Sequence, residues 1–535
     1  MKRFSIVLAL LFAPGVLQAA TDSMANMPCH QMADGTSMGN CESIPTHPEA
    51  TDSVADDIPP VQSSTILDVR DGDTVELTAS VVQKEIAGVT VTMYAYNDMI
   101  PGVVLRAKQN STFTVVFYNE IPEETTVHWH GLRHANKDDG VPGVTQPPVQ
   151  PGESYRYTVK VPDAGIYWYH PHVREDRQQD KGLAGNLLVM PTDLSYWNPV
   201  HREELLVLDD ILMGDKGIIP FGAVHATHAV MGRFGNVMLA NGEESYDLTI
   251  SRGEVVRFYI TNVANTRPFN LTFPGARVKL VGSDLGAYEQ EEYVDSIIIA
   301  PAERYIVELV YEKPGEYEIL NVNPHQTYDL GTISVNDSTP EDSLAFEPPR
   351  QHTDVMADID TFREHIGRRP DYTLELGMKM RMDMRMPKMH ASEIEWEDQM
   401  GMMNAMHTSD MVSWVIRDRA TGKENMDVIL ATKVGDVVAI RLVNPVESMH
   451  PMQHPIHLHG QRFLVTSVDG KAVENLVWKD TVLVRGGTTV DILVDVTNPG
   501  TWMMHCHIGE HLESGMMIGV EVAPQGSKID NEDAA

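Results

Sequence analysis

Three times along this 535-residue chain, an alternating apolar stretch closes on an asparagine. The copies are Thr112 to Asn119 (TFTVVFYN), Glu254 to Asn262 (EVVRFYITN) and Asp436 to Asn444 (DVVAIRLVN). Period-two alternation rich in β-branched and aromatic residues predicts strands with one buried face. Helical periodicity is scarce elsewhere, and Gly and Pro punctuate the chain often. The expected fold class is all-β, as three β-sandwich domains of Greek-key type. A single core rarely grows beyond about 250 residues, so several domains are required.

The segments after each repeat superpose. The third reads His454-Pro455-Ile456-His457-Leu458-His459-Gly460, the second Arg267-Pro268-Phe269-Asn270-Leu271-Thr272, and the first Thr125 followed by His128-Trp129-His130-Gly131. A second register starts five residues after a glycine: Gly500 leads to His505-Cys506-His507, Gly165 to His170-Pro171-His172, and Gly315 to Leu320-Asn321-Val322. Copies one and three carry candidate ligands, and copy two carries none.

Ten of the 22 histidines fall in four clusters, His128/His130, His170/His172, His454/His457/His459 and His505/His507/His511. Residues two apart on a strand face one side, so each His-x-His aims two imidazoles at one place. Any one of these histidines alone reads as a core or surface group satisfied by one hydrogen bond. Four clusters at matching points of a repeat point instead to metal. Two imidazoles, a thiolate and a distant thioether select copper held for electron transfer, a set that His454, His511, Cys506 and Met516 can supply. His505 and His507 point to the opposite face and can bind further coppers, leaving an electron at Cys506 a covalent route of a few bonds.

In order, HWHG, HPH, HPIHLHG and HCHIGEHLESGM resemble the motifs of three-domain multicopper oxidases, laccase-like and of the bacterial cuprous-oxidase, copper-resistance type. The resemblance spans about residues 64 to 524 and implies cupredoxin-like Greek-key β-sandwich domains. It also implies four copper ions: one type 1 on His454, Cys506, His511 and Met516, one type 2 on His128 and His457, and two type 3 on His130, His170, His172, His459, His505 and His507. Electrons would enter singly at the His454 or His511 edge, leave through Cys506, and pass four at a time to O2. The cluster would lie between domains one and three, with domain two as a spacer. A two-domain copper nitrite reductase is disfavoured because it lacks the full type 3 set. The expected layout is signal peptide 1–20, an acidic Met/Cys/His-containing disordered segment 21–63, domains at 64–195, 196–345 and 413–524, a linker with a Met-rich insertion at 346–412, and an acidic tail 525–535.

Reducing O2 to water also consumes protons. Asp139 resembles the acid that the family places near the cluster, the other reading being a turn Asp before Gly140. Where some bacterial relatives carry an acid directly after the last type 1 histidine, this chain has Leu512, leaving Glu510 or Glu513 as substitutes. Asp480, in WKDTV, is read as structural.

Eleven of the 30 methionines lie between Met378 and Met411. Met378, Met380, Met382, Met384 and Met386 alternate with charged residues, so a strand there would have a thioether face. That face could simply fill gaps in a core. With Met389, Met400, Met402, Met403, Met406, His390 and His407, it suits Cu(I) better. The same soft donors recur as Met24, Met27, Cys29, His30, Met32, Met38 and Cys41, where the two cysteines form a disulfide or collect copper.

Met1-Lys2-Arg3, the apolar run Ile6 to Ala13 and Pro14-Gly15 read as a secretory signal, with cleavage near Ala19 or Ala20. The expected location is the periplasm, with no membrane insertion after signal removal, and the expected state is a monomer. The net charge of −35 argues against a nucleic-acid partner. The expected partners are O2 and either Cu(I) or a small-molecule reductant, and the reaction is oxidation of Cu(I) to Cu(II) in copper tolerance. The alternatives are a laccase acting on phenols, a ferroxidase or Mn oxidase, and, in another class, a copper-sequestering protein.

Overall fold

A computed structural model describes residues 58–342, 344–380 and 394–527, with the strands His30–Gln31 and Ser37–Met38. The chain divides into two compact units, Met1–Asp57 and Ile58–Ala535. In the first, the two short strands pair antiparallel with His30 opposite Met38, inside the segment read as disordered. The signal segment 1–20, Met24, Met27, Cys29, Met32 and Cys41 lie outside the described residues, as do Met382, Met384, Met386, Met389, His390 and 528–535.

The second unit holds three pairs of sheets. In the first pair, Thr74–Ile86, Val89–Tyr96, Thr112–Asn119 and Ser154–Lys160 form one sheet. The other runs Ile66–Val69, Val104–Lys108, Gly185–Met190, Gly165–His170, His128–His130. Phe113, Val115 and Phe117 meet Leu105, Trp129 and Tyr167 in one core. The second pair stacks a six-stranded sheet on a five-stranded one around Phe258, Ile260, Leu271 and Ile319. The third pair centres on Val437–Val443 and Gly500–Cys506, with a core of Ile440, Ile492, Trp502 and Ile518. Within 346–412, strand Tyr372–Met380 joins this third sandwich, pairing with Val437–Val443 and Val412–Asp418. Met378 is buried, Lys379 exposed and Met380 half-buried there.

The closing asparagines explain the repeat. Asn119 donates from Nδ2 to the carbonyls of Glu123 and Val149 (2.9 and 2.8 Å). Asn262 does the same with Arg267 and Ile299 (2.8 and 2.9 Å), and Asn444 with Met452 and Val484 (2.6 and 3.4 Å). Each ties its strand end to the loop that follows, where buried carbonyls would otherwise lack donors.

Only the first copy keeps the expected one-sided burial, alternating along Thr112–Asn119. Val255–Asn262 is buried throughout. Its second face is covered because Tyr259, Ile306 and Leu285 join the core of the first sandwich. Among the described residues, no helix is long and apolar enough to cross a membrane.

Candidate metal centre

Backbone pairing brings the motif histidines together. His128 lies opposite His170 and His130 opposite Trp168, so these four side chains share a face of the first sandwich. In the third, His457 lies opposite His505 and Ile456 opposite Cys506, which turns Cys506 and His457 to opposite faces. Across the interface His130 stacks on His457 (ring centroids 3.7 Å) and His128 on His459 (4.0 Å). Among the described residues five triads have ligand atoms close enough to share an ion: His128/His130/His457, His130/His170/His507, His172/His459/His505, His454/Cys506/His511 and His128/Asp139/His459. All are buried.

Hydrogen bonding or ion pairing fixes which nitrogen seven of the eight cluster rings offer, and both ring nitrogens of His507 are buried without a partner. Nδ1 of His128, His170, His457 and His505 donates to the carbonyls of Asp139, Pro171, Asp480 and Cys506 at 2.8, 2.9, 2.9 and 3.0 Å. Nδ1 of His459 donates to Asp139 Oδ2 (2.9 Å), and Nδ1 of His172 lies 3.0 Å from Glu175 Oε1. His130 is reversed, its Nε2 facing Asp480 Oδ1 at 3.0 Å. The remaining nitrogens, Nε2 of His128, His170, His172 and His457 and Nδ1 of His130, are buried without partners. Nε2 of His459 and of His505 lie 3.0 Å apart. Both rings have already spent their hydrogen at Nδ1, so two lone pairs face each other, an arrangement that a cation between them satisfies. Burial holds His130, His170, His459, His505 and His507 well below the usual imidazole range, in the neutral form a metal needs. Burial opposes charge on His172 too, but Glu175 overrides it and raises that pKa. The donor set fits copper.

At the other face, Nδ1 of His454 and of His511 each lie 3.6 Å from Cys506 Sγ. Cys506 and Met516 are fully buried, and the Cys506 N–H donates to the Met516 carbonyl (3.1 Å). Burial pushes the thiol up and His454 down to about 3, so a thiolate here needs a metal to form. Trp414 stacks on His511 at 4.0 Å and stands 5.0 Å from His454. The loop 226–234 and helix Gly401–Met406 pack nearby: Asn404 accepts from Met231 N and donates to Gly232 O, and Trp414 Nε1 donates to Ala229 O. Neither type 1 candidate histidine is exposed.

The acids separate. Asp139 stands between His128 and His459; burial pushes its pKa up, yet those imidazoles hold it well below the carboxylate range. Leu512 packs with Val141 and Met503. Glu510 and Glu513, on Gly509–Glu513, turn instead toward Glu175–Gln178, where a Cβ on Gly509 would stand 2.9 Å from Asp176 N. Burial and Asp176 push Glu510 up to about 8 and Glu513 up to about 7.

Two expectations need correction. Asp480, read as structural, touches the histidine cluster directly. The second sandwich is more than a spacer, since it supplies Arg304 to Asp480, Thr266 to Glu510 and loop 226–234 beside the thiolate site. Glu175 carried a signal that was missed, an acid three residues after a candidate ligand. Trp414 and Arg304 carried none, because each reaches the site only through tertiary packing.

Multicopper oxidase family profiles match residues 78–193, 201–338 and 395–526, most of the chain, which therefore belongs to the multicopper oxidases: copper-containing oxidoreductases that take electrons from a reduced substrate and pass them to O2. Laccase-2 of Fomitopsis schrenkii is 28% identical over 479 residues, covering 80% of this chain and 86% of that one. A multicopper oxidase of Staphylococcus aureus is 25% identical over 437 residues (80% and 83%). The crystal structure of a multi-copper oxidase from Pseudomonas thermotolerans is 28% identical, with a TM-score of 0.64, covering 85% of this chain and 100% of that one.

Proposed function

We propose that the chain carries four coppers and oxidises Cu(I) to Cu(II) at the expense of O2, in periplasmic copper tolerance. His454, Cys506, His511 and Met516 hold the type 1 ion and His128 and His457 the type 2 ion. His130, His170 and His507 hold one type 3 ion, and His172, His459 and His505 the other. When bound, the coppers supply one-electron acceptance at the thiolate and four-electron delivery to O2, which avoids releasing partly reduced oxygen. The observation that carries this reading is the set of buried imidazole nitrogens left without partners and converging in triads. The chain's own part is to orient those rings, to exclude water, and to join the sites through the Cys506 backbone. Asp139, Glu510 and Glu513 carry protons, the last two, one buried and one half-buried, being the acids closest in sequence to the position that Leu512 occupies.

Cu(I) is favoured as reductant because Trp414 and loop 226–234 close the His454 and His511 edges against a bulky phenol. Met378 and Met380 lie on the strand paired to Trp414, and Met402, Met403 and Met406 on the helix against that loop, with Met400 directly before it. Laccase activity is the second reading, supported by the fungal relative. Oxygen uptake with Cu(I) and with a bulky phenol, in wild type and in Met400→Leu/Met402→Leu/Met403→Leu/Met406→Leu, separates them. Loss of cuprous turnover with phenol turnover kept supports the proposal, and unchanged cuprous turnover contradicts it. Abundant bound copper with little oxygen uptake would favour sequestration.

A further inference from the structure

We propose that Arg304, from the sandwich without ligands, is a positioning residue for the histidine cluster: through Asp480 it fixes which nitrogen of His130 faces the metal. The inference rests on the cluster reading above. Arg304 is fully buried. Its Nη1 donates to Asp480 Oδ1 at 2.7 Å and its Nη2 to Oδ2, a two-point grip that aligns the carboxylate plane. The guanidinium is itself held, Nε donating to Ile166 O (2.9 Å) and Nη1 to Ala302 O (3.0 Å), with Asp284 Oδ1 at 3.5 Å.

So gripped, Asp480 presents Oδ1 to His130 Nε2 at 3.0 Å. A carboxylate only accepts, so Nε2 carries the hydrogen and Nδ1 keeps the free lone pair. His128, His170, His457 and His505 are oriented the opposite way by backbone carbonyls, which need no counter-charge. His130 is the ring reversed by side chains, Asp480 Oδ1 and also Thr481 Oγ1, 3.1 Å from its Nε2, and a buried carboxylate is costly to hold without a paired charge. Among the described residues, Arg304 is the only Lys or Arg paired with Asp480, because neighbouring Lys479 is turned to Asp284 and Glu303. The backbone beside His130 is bare for the same reason. A Cβ on Gly131 would lie 2.4 Å from Asp480 Oδ2 and 2.8 Å from Arg304 Nη2.

The test compares wild type, Arg304→Leu, Arg304→Lys and a control, Arg257→Leu. The control breaks another buried pair of the same sandwich, with Glu308 at 2.7 Å. Copper is titrated into metal-free protein while the blue Cys506 absorption, the electron paramagnetic resonance of the cluster and Tm are followed. Arg304→Leu should weaken cluster copper binding about 10–100-fold with the blue band intact, as loss of a partner behind a ligand does elsewhere. Arg304→Lys should fall between, and Arg257→Leu should lower Tm without changing cluster affinity. Wild-type cluster affinity in both Arg304 variants, or an equal loss in Arg257→Leu, would overturn the proposal. If Arg304→Leu does not fold, Arg304→Lys decides alone. Wild-type protein that takes up blue copper but none at the cluster would instead refute the reading beneath it.

Discussion

An imidazole offers a lone pair to metal most readily when its other nitrogen is committed, and here carbonyls and carboxylates make that commitment for every cluster ring but His507. Glu175 does so for His172. Glu175→Gln should therefore weaken cluster copper binding about 10–100-fold, measurable by titration into metal-free protein, with the blue band unchanged. Cys506→Ser should do the converse, removing the blue absorption and most oxygen uptake while the cluster still binds copper, checked by absorption and paramagnetic resonance. The ten histidines were legible because each motif is contiguous and spaced at the strand period. Asp480 and Arg304 were not, since the pair is 176 residues apart and neither sits in a pattern that names a partner.

Strands and loops show where local reading stops. Alternation along Thr112–Asn119 predicts its burial correctly, but Val255–Asn262 is covered on a second face by another sandwich, a contact that no periodicity encodes. The repeated asparagine was visible as a pattern and its work was not. Asn119→Ala strands one buried and one half-buried carbonyl and should cost about 1–3 kcal/mol in urea unfolding. In loop 226–234, burial and Arg233 hold His228 down to about 4 from 6.5. Between those values the folded chain binds fewer protons than the unfolded one. The stability contributed is full above pH 6.5 and falls as pH drops toward 4, by about 3 kcal/mol. His228→Asn, which suits the left-handed backbone there (φ 61°), should flatten that acid limb in urea melts of metal-free protein at pH 4.5 and 7.

Across the molecule, three sandwiches do unequal work. The first and third face each other with their histidines, and the second, bare of ligands, packs against both. All-β architecture and the division of histidines between copies one and three were legible from the internal repeat. The triads were not, because each draws on separate segments, as His130, His170 and His507 do. Anomalous diffraction at the copper edge from metal-replete crystals tests this arrangement at once. It should give one peak among His454, Cys506 and His511, and three in the interface, near His128 and His457, among His130, His170 and His507, and among His172, His459 and His505. A blue protein with no density between those interface histidines, or with its coppers bound elsewhere, would contradict it.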